Sequence, residues 1–207
     1  MPIFQQVGIK ASEDRLENLI NERLKPGANK EEIDERIWDL FGENWSVMFT
    51  DLSGFSRNVA KFGIIHFLQV IYESHRLLIP IINSYDGILL KKEGDSMLII
   101  FKRATRAIDC AVEMQKVLKE YNKTKPDEEK VLLCVGIGYG LILKIGDDDV
   151  FGAEVNSASK LGEDTAKSEE ILVTEPIFEF FPNDSKYKFE KLAESPSGMK
   201  NAFKLIY

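Results

Sequence analysis

The chain has 207 residues, 44% hydrophobic and 29% charged, an ordinary globular composition that excludes the low-hydropathy, high-charge regime of disordered chains. Its net charge of −7 comes with no basic stretch to track a phosphate backbone, which argues against nucleic acid or an anionic membrane as partner and leaves a small diffusible anion. No apolar run approaches the ~20 residues that span a bilayer, and the start, MPIFQQVGIKASEDRL, has no basic patch followed by an apolar core. A cytoplasmic location without membrane insertion is therefore expected.

In chain order, residues 1–44 read as a helical N-terminal extension broken at Pro26-Gly27. Leu16, Leu19, Ile20 and Leu24 mark one helix face, and Ile33, Ile37, Trp38 and Phe41 mark another. Residues 45–207 read as one catalytic-sized domain. A strand, SVMFTD, starts at Ser46 and ends in LSGFS, and a long helix is expected from about Asn58 to Ser84, with Pro80 kinking or ending it. GILLK and SMLIIF form a hairpin across KEGD. Ala104 to Tyr121 has the spacing of a helix with one buried face. VLLCVGIGYGLILKI reads as strand, glycine break and strand, AEVNSASKLGEDTA as a helix, and EILVT as a further strand. Cys110 and Cys134 sit among apolar neighbours and are expected as buried free thiols.

The order β-α-β-β-α-β predicts an α+β fold: a ferredoxin-like βαββαβ core with added C-terminal strands, its sheet antiparallel and two helices on one face. In that topology the first and third strands are neighbours. Asp51 ends the first, and Asp95 lies in the hairpin leading into the third, so two carboxylates 44 residues apart can converge at one edge. Such a pair calls for a hard cation, Mg²⁺ or Mn²⁺. Gly54 and Gly94 permit tight turns beside them.

FTDLSGFS, KKEGDSMLIIF and DVFGAEVNSASKL, in this order and at these separations, resemble the class III adenylate and guanylate cyclase catalytic domain over roughly residues 45–175. The resemblance implies that Asp51, Asp95 and the carbonyl of Leu52 hold two divalent metal ions. It assigns the turn of Ser53, Gly54, Phe55 and Ser56 to the β- and γ-phosphates through backbone amides and the Ser56 hydroxyl. Lys91 and Asp149 stand where adenylate cyclases place the donor and acceptor that read adenine, which favours ATP as substrate. Guanine presents the reverse pattern and would leave a pocket group unpaired. Asn156 matches the asparagine that orients the ribose. Lys160, four residues on and on the same helical face, stands where most members carry an arginine that stabilises the transferring phosphoryl group. Lysine offers a point charge in place of a planar fork.

The resemblance also implies a homodimer with shared sites: the metal aspartates from one subunit, and Lys91, Asp149, Asn156 and Lys160 from the other. The expected reaction is conversion of ATP to 3′,5′-cyclic AMP and pyrophosphate. Leu141 stands where related chains often place an arginine, with Lys144, an odd number of residues further along the strand, as a candidate substitute. Lys200 or Lys204 is a candidate phosphate ligand from the tail. Two alternatives stay open: a cyclase for GTP or a pyrimidine nucleotide, and a catalytically inactive nucleotide-binding regulatory domain.

Overall fold

Two long strands form the middle of the molecule. β1 (Gly42–Leu52) and β4 (Leu133–Ile145) run antiparallel from the pair Gly42↔Leu143 to Leu52↔Leu133. The computed structural model describes residues 11–181 and 186–207, with the side chains of residues 55–58 outside the described set. β2 (Ile88–Glu93) and β3 (Ser96–Phe101) add to the free edge of β1, and β6 (Ile171–Thr174), β8 (Ala202–Ile206) and β7 (Lys188–Lys191) extend beyond β4, giving the order β2-β3-β1-β4-β6-β8-β7. A short β5 (Asp149–Phe151) folds back on the end of β4. The first four strands pair antiparallel, as the ferredoxin-like order requires. Beyond that core, β6 runs parallel to β4, because a helical crossover joins the two and returns the chain to the same end.

Strand alternation sorts the core into two layers. Met97, Ile99 and Phe101 point to one face and pack with Phe67, Leu78 and Ile82 of α4 (Ile64–Ser84) and Ile108, Met114 and Leu118 of α5 (Ala104–Asn122). Leu98 and Ile100 point the other way, towards Val155 and Ala158 of α6 (Ala153–Ser159). The two expected helices share one face, and α6 covers the opposite one.

The expected long helix from Asn58 is two helices. α3 (Phe55–Phe62) ends at Gly63, whose φ of +87° is in the region open to glycine, and α4 starts at Ile64. Pro80 lies inside α4, which runs on to Ser84. The expected glycine break in β4 is absent, and the strand is continuous. Gly136, Gly138 and Gly140 occupy successive positions on the face that meets α6. A Cβ on Gly136 would lie 2.2 Å from the carbonyl oxygen of Ala158, and one on Gly138 would lie 2.7 Å from that of Glu154. Gly136 and Gly138 let helix backbone touch strand backbone, and Gly140 makes room for the Glu154 side chain. Glu154 then pins the helix: its carboxylate accepts from the Tyr139 N–H (3.1 Å) and the Thr174 hydroxyl (2.7 Å). The expected helix AEVNSASKLGEDTA is helical to Thr165 but changes type midway. α6 gives way at Lys160 to a wide π turn, Lys160–Thr165.

α1 (Ala11–Arg23) and α2 (Lys30–Phe41) make a hairpin joined by Arg23 to Asp34 (2.6 Å) and Arg36 to Glu22 (2.9 Å). Leu19, Ile33, Ile37 and Phe41 pack on Leu143 and Ile145 of β4. Ile20, Leu24 and Trp38, expected on the buried faces, are exposed, Leu24 at 74%; the docked stripe is narrower than the apolar pattern. Helix gives way to strand at Gly42, ahead of the expected start at Ser46. Cys110 and Cys134 are buried and unbonded, and burial pushes each thiol up to about 12. No helix among the described residues is long and apolar enough to cross a membrane.

Candidate active site

Register brings the acidic pair together. Thr50 pairs with Met97, so Asp51 is opposite Ser96, the first residue of β3, and the Ser96 hydroxyl donates to Asp51 Oδ1 at 3.1 Å. The β2–β3 turn, with Gly94 at φ +61°, sets Asp95 beside them. Burial, then the Asp95 carboxylate, push Asp51 up to about 6, with Glu163 adding to the rise. Burial also lifts Asp95. The Leu52 N–H faces both carboxylates. Two half-buried acids side by side, both lifted by burial and Asp51 also by the charge of Asp95, are a hard-oxygen site suited to a divalent cation. Among the described residues no group of three or more His, Cys, Asp or Glu side chains could hold a metal, so a cation here would need the Leu52 carbonyl, water or phosphate to complete its shell.

Just past β1, the Ser53-Gly54 turn leads into α3, with Gly54 at φ +93°. A helix thus begins where the phosphate-binding turn is expected, and its N-terminal amides favour an anion. One expected donor is spent: the Ser53 N–H donates to the Leu132 carbonyl at 2.8 Å, continuing the β1–β4 ladder. The side chains of Phe55 and Ser56 lie outside the described residues.

Lys91 on β2 and Asp149 at the head of β5 form an ion pair at 2.7 Å, each about one-third exposed (35% and 33%). The bond to Asp149 holds Lys91 above its usual range, and Asp149 Oδ1 also accepts the Val150 N–H at 2.8 Å. The pair stands at a cavity of about 220 Å³ whose walls include Phe49, Leu98, Val150 and Val155. That volume is below the ~300–1,000 Å³ of pockets that enclose a whole drug-sized ligand. It suits a planar base with apolar faces and a polar edge.

Asn156 on α6 and Lys160 at the start of the π turn stand one turn apart, the Lys160 N–H donating to the Asn156 carbonyl, and both side chains are exposed. Lys160 Nζ donates to the Ser197 carbonyl at 2.9 Å, a partner that sequence spacing could not supply. Lys144 bonds the Gly146 carbonyl and Asp147 (3.1 Å) within the β4–β5 turn. Lys204 pairs with Glu170 at 2.8 Å, and Leu141 is 51% exposed on β4. Two further residues belong to the site. Ser96 contacts Asp51 and lines the cavity, and Glu163 lines it from the π turn. The register made Ser96 findable; the switch from α to π geometry concealed Glu163.

Comparison with known proteins identifies the family. The chain is 27% identical over 135 residues to "Serine/threonine-protein kinase pkn2" of Myxococcus xanthus, a match that covers 65% of this chain and 16% of that protein. It is 26% identical over 135 residues to "Putative adenylate cyclase 3" of Rhizobium meliloti (strain 1021), covering 65% and 23%. The chain therefore spans about a fifth of the length of these curated relatives. Among solved structures, an adenylate/guanylate cyclase/hydrolase from Silicibacter pomeroyi superimposes with a TM-score of 0.68 at 22% identity, over 80% of this chain and 98% of that one, a likeness of fold. Residues 42–203 match the adenylate and guanylate cyclase catalytic domain, and the chain belongs to that family.

Proposed function

We propose that this chain is an adenylate cyclase that works as a homodimer, closing ATP into 3′,5′-cyclic AMP with two divalent ions, Mg²⁺ or Mn²⁺. The observation that carries the reading is the Lys91–Asp149 pair, a donor and an acceptor 2.7 Å apart at a base-sized apolar cavity. Adenine offers an acceptor at N1 and a donor at its exocyclic amine, the complement of that pair. Guanine reverses the order, and each unpaired buried group costs ~1–3 kcal/mol.

In this reading Asp51, Asp95 and the Leu52 carbonyl of one subunit hold the cations, whose chemistry is to lower the pKa of the ribose 3′-hydroxyl and to neutralise charge on the triphosphate. The 3′-oxygen attacks the α-phosphorus, and the bond to the bridging oxygen of the β-phosphate breaks, releasing pyrophosphate with the bonding pair. The turn at Ser53 and Gly54, with Phe55 and Ser56 after it, faces the outer phosphates. The second subunit supplies Lys91 and Asp149 to the base, Asn156 to the ribose, and Lys160 as the positive charge beside the α-phosphoryl group. A cavity too small for a whole nucleotide supports a site completed by a second copy, and closed two-fold pairing gives two equivalent sites.

The test is direct. Purified protein with Mn²⁺ receives ATP, GTP, CTP or UTP, and cyclic product is resolved by chromatography. Product chiefly from ATP supports the reading; product chiefly from another nucleotide moves the substrate; absence of product from all four leaves a regulatory nucleotide-binding domain.

A further inference from the structure

Of the polar side chains that line the base cavity, Glu93, Ser96 and Glu163 have no role from the family resemblance; Ser96 is engaged with Asp51. Glu163 lies in the π turn Lys160–Thr165 and lines the same cavity as Lys91 and Asp149. Its placement is held from behind. Gly162 packs so tightly that a Cβ there would lie 2.7 Å from the Phe49 carbonyl oxygen on β1, and Phe49 is itself a cavity wall. On the other side, the Ser159 hydroxyl bonds Glu163 Oε2. Single π turns inside helices recur at functional sites because they turn a side chain out of α register, and here the turn presents a carboxylate to the cavity.

An adenine amine in this cavity has two N–H groups to satisfy. The two N–H bonds of that planar amine diverge, so the Asp149 carboxylate, which also accepts the Val150 N–H, serves one of them. The walls formed by Phe49, Leu98, Val150 and Val155 offer no side-chain acceptor. Of the other carboxylates, Glu93 follows Lys91 on β2 and its charge acts on that lysine; Glu163 comes from the opposite element. Resting on the reading of ATP as substrate, we propose that Glu163 is a base-contacting, specificity-determining residue that accepts the second N–H of adenine's exocyclic amine, beside Asp149.

The test is a cycle between side chain and substrate group. Turnover of ATP is compared with that of purine riboside triphosphate, the same nucleotide without the amine, for the wild type, Glu163→Ala, Glu163→Gln and Asp149→Ala. Glu163→Ala is expected to lower kcat/KM for ATP by roughly 5- to 100-fold, the range for leaving one buried donor unpaired, and to change that for the analogue by less than about twofold. Glu163→Gln retains a carbonyl acceptor and should recover most of the loss. Equal losses on both nucleotides, or no loss on ATP, overturn the proposal. Asp149→Ala separates the two readings: if its defect depends on the amine and that of Glu163→Ala does not, only Glu163's role fails. If neither depends on it, the adenine-reading site fails as well. Calorimetric Kd values for the two nucleotides give the same cycle without turnover, so the role of Glu163 is decided even in a protein that forms no cyclic product.

Discussion

Lys91 and Asp149, 58 positions apart, meet at 2.7 Å because β2 and the β4–β5 hairpin both reach the α6 side of the sheet. In the absence of a base each neutralises the other, so substrate exchanges one set of charge-assisted hydrogen bonds for another. Lys91→Met should therefore lower kcat/KM for ATP by about 10- to 100-fold, the range for a lost hydrogen bond to a charged group. Melting temperature should barely move, since partly exposed pairs stabilise little. Steady-state kinetics with ATP and GTP check this; an equal loss on both would show that the lysine does not read the base.

Asp51 is costly to keep ionised. Its folded-state pKa of about 6 is above the ~3.9 of an unfolded chain, so between about pH 4 and 6 the folded state binds more protons than the unfolded. Its contribution is most favourable below about pH 4 and is lost as pH rises through 6. Asp51→Asn should accordingly raise the melting temperature of the metal-free protein at pH 7.5 by about 2–4 °C, taking ~1 kcal/mol after discounting for partial exposure. The gain should vanish near pH 4, and no cyclic product should form. Melting curves of both proteins from pH 4 to 8 measure it.

Mixed dimers test the shared site. Asp51→Ala and Asn156→Ala chains, each inactive alone, should regain about a quarter of wild-type activity when unfolded together and refolded, since random pairing makes half the dimers mixed, with one intact site of two. Assays across mixing ratios should peak at equimolar. A flat, inactive profile from folded proteins would mean that one chain supplies every residue.

Gly136→Ala is the harshest small substitution available. The new methyl would lie 2.2 Å from the Ala158 carbonyl and 2.3 Å from the Gly162 nitrogen, both backbone atoms that cannot rotate away. Overpacking of this kind costs about 1–3 kcal/mol. Urea titration should show a lower midpoint at unchanged slope, with activity falling further than the folded fraction because α6 and the π turn carry Asn156, Lys160 and Glu163.

Much of this was legible in the sequence, for identifiable reasons. The adjacency of the first and third strands follows from topology, and with it the approach of Asp51 and Asp95. Lys91 and Asp149 look like ordinary surface charges when taken singly; resemblance alone singled them out. The glycines of β4 look like a break because propensity treats glycine as an interruption of a strand, whereas here Gly136 and Gly138 clear the way for a backbone contact and Gly140 for the Glu154 side chain. The long helix was misread for the opposite reason: one glycine in a strongly apolar pattern, Gly63, ends α3 without interrupting the periodicity. Glu163 and the Lys160–Ser197 contact depend on how the chain leaves α6, and a wide turn has no periodic signature.

The glycine row in β4 has a consequence for tolerance. Where helices usually seat on sheets, side chains interlock, and each can hop between rotamers or yield by a few tenths of an ångström. At Gly136 and Gly138 no strand side chain intervenes before the helix main chain, so the seating of α6 is set by two main chains whose bond lengths and angles scarcely vary. Asn156 and Lys160 therefore start from a platform as reproducible as covalent geometry, and their remaining freedom is confined to their own torsions.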